Sequence, residues 1–387
     1  MSAFSQQIRE RWQRLGPGLR LTLQYFILTR VLITVFAIAS ERLIGHYDSV
    51  ARRVVDENSH RFGNAFFDAW SQWDSNWYLQ IAMHGYTGVT QHNGEVDIAF
   101  FPLYPYLVHF LAWPFGLSEG AILIMGLLVS SAGFIAGGYF LYRLAERKFG
   151  REVAKWALLF LFLSPMAFVL SAFLSEGLFI CLVAAALLWA DEGRWRRVAM
   201  VGALLPLARP VGIVIMAIVG LIYLQQNKWS LKKLWQPKTL WVVGPLIGFA
   251  ALLVINYAVV GNPLGFVAAE RGWGRGFLKL AGPSGGLFTF QSLYLISFVV
   301  AGMAMVTAQV RKLGWIYWLL SFCLLVLPGL TGLYGLVRYT EVILPIYLAL
   351  GLIARQRPSW QIPIVVVLTF IQGVHLVWWS LGMPIMQ

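Results

Sequence analysis

Residues 121–144 read AILIMGLLVSSAGFIAGGYFLYRL, with a single charge, Arg143, in 24 positions. The hydrocarbon core of a bilayer is about 30 Å thick and takes roughly 20 apolar residues of helix, so this stretch is long enough to cross one. It does not alternate with the period of a barrel strand. In lipid the backbone must satisfy its own hydrogen bonds, which makes the run a helix. Comparable apolar runs flank it at residues 22–44, 99–116, 153–173, 174–190, 198–224, 240–260, 288–310, 314–330, 336–354 and 362–381. The chain therefore reads as an all-α polytopic membrane protein, one integral-membrane domain over residues 1–387 with about ten or eleven transmembrane helices. Composition agrees. Of 387 residues, 59% are hydrophobic and 12% charged, half the roughly 25% of ordinary soluble domains. A water-soluble globular fold is excluded.

The net charge of +13 does not make a nucleic-acid binder, because the cations sit in short clusters between apolar runs and not on one solvated face. The clusters are Arg9/Arg11/Arg14/Arg20 in segment 1–21, Arg143/Arg147/Lys148/Arg151, Arg194/Arg196/Arg197, Lys228/Lys232/Lys233/Lys238, Arg311/Lys312 and Arg355/Arg357. Lys and Arg favour the cytoplasmic side. Segment 1–21 thus reads as a cytoplasmic anchor, with no small-residue cleavage site after Ile44, and the last three clusters fall inside. Simple alternation puts the 143–151 and 194–197 clusters outside. They come inside only where two conditions hold: residues 99–116, interrupted by Pro102, Pro105 and Pro114, fail to span, and residues 198–224 form a two-helix hairpin about Arg209-Pro210. If the first run spans, the two long polar loops, 46–98 and 261–286, share the extracytoplasmic face. Cys181 and Cys323 both lie in apolar runs, which supports neither a disulfide framework nor a thiolate metal site.

Loop 46–98 gathers Asp48, Asp56, Glu57, Asp68, Asp74, Glu95 and Asp97, and its aromatic residues (Phe66, Phe67, Trp70, Trp73, Trp77, Tyr78, Tyr86) argue against disorder. Trp70, Trp73, Trp77 and Ile81 recur at helical spacing, predicting an amphipathic helix in the headgroup plane with Asp74 in its middle. A carboxylate beside indole rings is partly desolvated and suited to proton abstraction; the plainer alternative is an aromatic belt with a solvated Asp. The block Phe100-Phe101-Pro102-Leu103-Tyr104-Pro105 then re-enters the membrane in a broken form, or serves as an interfacial anchor.

Ionisable residues inside apolar runs are expensive and point to function. They are Arg30, Glu176, Arg209 and the pair Arg338/Glu341. Arg209 lies mid-run, where snorkelling is hardest, and needs an anion, either a carboxylate such as Glu176 or a bound phosphate. Arg338 and Arg30 stand near enough to helix ends to snorkel, and Glu176, after Ser171 and Ser175, suits a helix cap. The second loop carries Glu270-Arg271-Gly272-Trp273-Gly274-Arg275, whose cations and tryptophan suit a phosphate-and-sugar cover or a basic interfacial turn. His84 and His92 make at best a weak metal pattern. There is no Walker loop, dinucleotide fingerprint, His-Glu-x-x-His or Gly-x-Ser-x-Gly, so an activated donor would have to come from the membrane itself.

The run from Trp73 through Asp74, Trp77, Tyr78, His84 and Gly85 to Tyr86, followed by Phe100 to Pro105 with Tyr104, resembles the PIG-V family of mannosyltransferases and their prokaryotic relatives. Ser164-Pro165, Ser171 to Glu176, Arg209-Pro210, Gly261-Asn262-Pro263-Leu264 with Trp273, and Arg338-Tyr339 continue the likeness in the same order over nearly the whole chain. The resemblance implies a GT-C-like bundle with its active site at the extracytoplasmic or luminal face of a plasma, inner or endoplasmic-reticulum membrane. It implies a polyprenyl-phosphate-linked mannose donor, a lipid or glycan acceptor, and inverting transfer. Asp74 would be the general base, and Arg209 and Arg338 would hold the leaving phosphate. Trp73, Trp77, Tyr78, His84, Tyr86, Tyr104, Glu176, Arg271, Trp273 and Arg275 would meet substrate. A phosphate leaving group needs little acid help, so one base and a cationic site suffice, unlike the paired carboxylates of glycoside hydrolysis; no metal or other cofactor is required. The competing readings are a transporter or flippase of a lipid-linked sugar, for which no internal repeat is evident, and a scaffold subunit, which leaves Arg209 unexplained.

Overall fold

Among the residues the structure describes, four stretches are long and apolar enough to cross a bilayer by themselves: Pro17–Ile44, Glu119–Phe149, Phe290–Ala308 and Pro358–Ser380. The structure is a computed structural model that describes residues 12–13, 15–44, 62–89, 96–235, 239, 243–272, 289–329, 332–333 and 335–383; among them regular structure is helical, with no strand. The helices are α1 (Pro17–Ile44), α2 (Ala65–Trp70), α3 (Ser75–His84), α4 (Leu103–Ala112), α5 (Glu119–Phe149), α6 (Arg151–Phe162), α7 (Glu176–Asp191), α8 (Trp195–Ala208) and α9 (Gly212–Gln226). They continue with α10 (Gly244–Val260), α11 (Gly265–Gly272), α12 (Phe290–Ala308), α13 (Val310–Leu313), α14 (Trp315–Gly329), α15 (Leu336–Thr340), α16 (Leu344–Gln356) and α17 (Gln361–Ser380).

The surface of the bundle is that of a lipid-facing protein. On α1, Ile27, Leu28, Val31, Leu32 and Val35 are exposed while Arg30, Ile33 and Ala37 are buried. With lipid as apolar as any core, such helices associate through close backbone approach at small residues. That is how α5 meets α7: a Cβ at Gly133 would lie 2.5 Å from the Gly177 carbonyl, and one at Gly177 would lie 2.3 Å from that of Ser130.

Residues 99–116 and 198–224 are both interrupted in the structure. Only Leu103–Ala112 of the 99–116 run is α-helical, about 15 Å at 1.5 Å per residue, half the thickness of a hydrocarbon core. The 198–224 run is two helices, α8 and α9, because the residue before a proline is driven out of the helical region; Arg209 is extended at φ −159°, ψ 151°. Asp191, at the end of α7, bonds Arg147 and Lys148, and Gln226, at the end of α9, donates to the Ala190 carbonyl at 2.8 Å. Arg355 donates to the Phe149 carbonyl at 2.7 Å. The clusters around 143–151, 194–197, 311–312 and 355–357, together with the start of the 228–238 cluster, therefore share one end of the bundle, and loop residues 62–89 lie at the other.

The 153–173 run also breaks. The helix α6 stops at Phe162, before Ser164-Pro165, and a short 3-10 turn, Ala167–Leu170, leads to α7. Irregular backbone at membrane depth must find partners within the protein. Gln372 on α17 donates to the Phe162 and Ser164 carbonyls at 3.2 and 2.8 Å, and His375 lies 3.2 Å from that of Pro165. Arg30 does not snorkel: its Nη1 donates to the Ala167 carbonyl at 3.1 Å and to Ser171 Oγ at 2.8 Å. Glu341 accepts from the Met166 amide at 2.8 Å and is hydrogen-bonded with Ser164, so it serves this turn and does not pair with Arg338. The single helix expected over Trp70 to Ile81 is two, α2 and α3, separated at residues 71–74, and Trp70 and Ile81 are buried in the core.

Candidate active site

The break between α2 and α3 places Asp74. Trp73 adopts φ +56°, a left-handed conformation that costs a non-glycine residue roughly 1–2 kcal/mol. The strain turns the chain so that Asp74 stands immediately before the first residue of α3 and not in the middle of a helix. Its Oδ2 accepts from Arg338 Nη2 at 2.6 Å. Arg338 lies on the one-and-a-half-turn helix α15, and its Nε stands 3.0 Å from Glu176 Oε1. The same Glu176 oxygen is 2.7 Å from Arg209 Nη1. Asp74, Arg338, Glu176 and Arg209 thus form one continuous chain of alternating charge. Two positive and two negative groups cancel, which is what makes their withdrawal from water tolerable.

Exposure within the chain is graded. The Glu176 side chain is 1% exposed, Arg338 8%, Arg209 12% and Asp74 21%. Asp74 is therefore the member most accessible from outside. Arg338 is held by carboxylates at a helix end and does not snorkel. Arg209 spans the gap left by the proline break, its guanidinium stacked within 5.9 Å of the Phe179 ring and 5.4 Å of the Tyr339 ring. Glu176 occupies the first turn of α7, where the helix dipole favours a negative charge, and it pairs with both arginines.

An aromatic shelf supports Asp74. Trp77 stacks on Phe100 at 5.5 Å, and Tyr78 meets Phe100 and Tyr104 edge-on at 5.2 and 5.1 Å. The Tyr78 hydroxyl is 2.9 Å from Ser175 Oγ, tying α3 to the start of α7. Burial, and after it the charge of Glu176, push the Tyr78 phenol up, so it stays protonated. Burial and then Tyr106 do the same for Tyr86, whose hydroxyl donates to the Phe100 carbonyl. Tyr104 is wholly buried and donates to the Gly126 carbonyl at 3.1 Å, joining α4 to α5. Trp73 Nε1, Ser75 Oγ, Asn76 Oδ1 and Glu176 Oε2 are buried without a hydrogen-bond partner among the described residues.

Of the residues singled out in the sequence, the structure thus brings together Asp74, Trp73, Trp77, Tyr78, Glu176, Arg209 and Arg338. Tyr86 and Tyr104 brace the shelf, and His84 is exposed at the far end of α3. Trp273, Arg275 and the side chain of Arg271 lie outside the described residues. Sequence reasoning missed Phe100 as the stacking partner of Trp77 and Ser175 as the hydrogen-bond partner of Tyr78; the only signal for either was its place in a quoted motif.

The fold is shared with solved GT-C glycosyltransferases. It is similar to ArnT from Cupriavidus metallidurans bound to undecaprenyl phosphate, with a TM-score of 0.57, 14% identity, and 93% of this chain and 77% of that chain covered. The Archaeoglobus fulgidus oligosaccharyltransferase in the apo form gives a TM-score of 0.46 and 12% identity over 93% of this chain and 56% of that one. No curated protein sequence matches the chain. The family model described as mannosyltransferase (PIG-V) matches residues 20–259, a span that takes in the Asp74 turn, the start of α7 and the Arg209-Pro210 hinge. This chain belongs to the PIG-V mannosyltransferase family and is a membrane glycosyltransferase of GT-C fold.

Proposed function

We propose that this protein transfers mannose from a polyprenyl-phosphate-mannose donor to a hydroxyl of a lipid or glycan acceptor, with inversion, at the extracytoplasmic face. The observation that carries the reading is the tethered carboxylate: Arg338 holds Asp74 Oδ2 at 2.6 Å, beside a second guanidinium reached through Glu176. A base and a cationic site fixed next to one another before reaction are what inverting transfer from a phosphate requires. The basic clusters at the opposite end support the sidedness, since Lys and Arg favour the cytoplasm. ArnT is bound to undecaprenyl phosphate, a molecule of the proposed leaving-group class.

In this reading Arg338 orients Asp74 by one oxygen and leaves Oδ1 for the acceptor. The acceptor hydroxyl gives its proton to Asp74 as its oxygen attacks the anomeric carbon from the face opposite the phosphate. The carbon–oxygen bond to phosphate breaks, and the electron pair leaves on the polyprenyl phosphate. N–H donors of Arg209 and Arg338 not engaged by carboxylates stabilise that charge; each guanidinium has five. No step calls for a metal.

The test is transfer by purified protein from polyprenyl-phosphate mannose, following the lipid products. Asp74→Asn keeps an isosteric group for Arg338, which remains paired with Glu176, and should lower transfer by roughly 100- to 10,000-fold in a folded, inserted protein. Near-wild-type transfer removes Asp74 as the base.

A further inference from the structure

The end of the bundle away from Asp74 has a site of its own. Along α7, Glu176 and Asp191 stand at opposite ends, separated by about 22 Å at 1.5 Å per residue. Beside Asp191 lies a cleft of about 530 Å³ lined by Lys148, Phe149, Lys312, Leu352, Arg355 and Gln356. Its walls are the ends of α5 and α16 and the short helix α13.

The charge of this cleft is not balanced. Asp191 is shared between Arg147 Nε at 2.7 Å and Lys148 Nζ at 2.9 Å. Arg355 spends one N–H on the Phe149 carbonyl, a neutral acceptor, and Lys312 has no carboxylate partner among the described residues. Three cations, Lys148, Lys312 and Arg355, therefore line the cleft, and of these only Lys148 is bonded to a carboxylate, one it shares with Arg147. The active-site chain shows the opposite arrangement, with each guanidinium matched by a carboxylate, so the surplus is particular to this end.

The surroundings place the cleft at headgroup depth. The helix α5 reaches it as the end of an apolar span. Trp229 and Trp315 stack at 5.8 Å and are about half exposed at this same end, Trp315 three residues from Lys312; paired exposed tryptophans mark the membrane–water boundary. The Lys148 ammonium lies 5.4 Å from the Tyr317 ring. Gln309 and Gln356 hold the rim together with a reciprocal amide pair at 2.7 and 3.4 Å. Phe149 and Leu352 supply apolar wall. A preformed basic hollow between helix ends at this depth fits a phosphodiester with acyl chains attached.

We propose that this cleft binds the phosphate headgroup of an anionic membrane phospholipid, as a site separate from the one that holds the glycosyl donor. Lys312 and Arg355 contact the phosphate, Lys148 closes one side through Asp191, and the acyl chains lie against the lipid-facing flank.

The full chain, purified and reconstituted in phosphatidylcholine alone or in an equimolar mixture with phosphatidylglycerol, tests this by native mass spectrometry of retained lipid. Wild type should retain phosphatidylglycerol over phosphatidylcholine. Each cation near a headgroup contributes about fivefold, so Lys312→Gln should lower that retention about fivefold, and Lys312→Gln with Arg355→Gln about 25-fold. Thermal unfolding in phosphatidylcholine alone reports whether the variants fold. Lys312→Gln removes no hydrogen bond of the described structure and keeps the test open if Arg355→Gln unfolds. Equal retention of the two lipids by wild type, or unchanged retention by a folded Lys312→Gln variant, overturns the proposal. Protection by inorganic phosphate without retained lipid overturns the lipid as the source of the phosphate.

Discussion

Glu176 is where the active-site charges can be weighed. It is 1% exposed and one of its oxygens faces both Arg209, at 2.7 Å, and Arg338, at 3.0 Å. Glu176→Gln keeps the shape and removes the charge. Removing one partner of a buried pair costs about 3–5 kcal/mol; here two guanidiniums lose a partner, although Arg338 keeps Asp74, so a loss toward the upper part of that range is expected. Denaturant unfolding in mixed micelles measures it. The cycle with Arg209→Gln isolates the pair: the double variant should lose less than the sum of the singles by about 1.5–3 kcal/mol, where independent sites add within about 0.5 kcal/mol. The cycle also bears on the proposed chemistry. In the wild type the four charges cancel, whereas the Glu176→Gln variant carries one positive charge in surplus. Polyprenyl phosphate brings the missing negative charge, so it should stabilise the variant more than the wild type. A tenfold tighter fit gives about 1.4 kcal/mol of extra stabilisation at saturating ligand. Additive single losses together with equal stabilisation of both proteins by polyprenyl phosphate would refute the linked-charge account and the phosphate role of the arginines.

Tyr78→Phe removes the hydroxyl 2.9 Å from Ser175 Oγ and should cost about 1 kcal/mol, read by unfolding, with a several-fold fall in transfer as the start of α7 loosens. Because the phenol is pushed up and stays neutral, the ratio of variant to wild-type rate should be flat from neutral to mildly alkaline pH; a ratio that changes across that range contradicts a neutral, positioning Tyr78. Gly177→Ala puts a Cβ 2.2 Å from the Leu170 carbonyl and 2.3 Å from that of Ser130. Both are backbone atoms that cannot turn aside. Overpacking of this kind costs about 1–3 kcal/mol, and transfer should fall with it because Glu176 is the adjoining residue. An unchanged unfolding midpoint would show that α5 and α7 are not packed backbone to backbone.

Much of the fold is legible in the chain because lipid admits so few solutions. Apolar run lengths identify α1, α5, α12 and α17, and Arg209-Pro210 marks the hinge that turns one run into α8 and α9. The demand of Arg209 for an anion is equally plain, and Glu176 is a natural candidate. That Arg338 shares the same carboxylate oxygen is not readable, since nothing in one dimension sets α15 beside α7. The Trp70 to Ile81 stretch misleads for a different reason. Two short helices can keep one helical period across a tight turn, and the left-handed Trp73 that separates them is a residue no propensity would put there. The 153–173 run contains its own break at Ser164-Pro165, yet hydropathy alone carries the eye through it, because Gln372, His375, Arg30 and Glu341 satisfy that break from distant parts of the chain.

The candidate active site is made of these interruptions. Asp74 stands just before α3, Glu176 in the first turn of α7, Arg209 just past α8, and Arg338 on the short α15. A helix end exposes unpaired N–H or C=O groups and a partial charge, which makes it costly inside a membrane and useful for holding an ion. Glu176 at a helix start and Arg209 at a helix end each have the sign that the local dipole favours. The same side chains are close enough to neutralise one another, so the broken region is tolerated at membrane depth. Continuous helices would remove the exposed backbone groups but would also spread these four side chains along separate faces. The discontinuities that make the chain hard to read as simple spans therefore have a physical consequence: they bring two carboxylates and two guanidiniums to one place, the arrangement on which the proposed phosphate role rests.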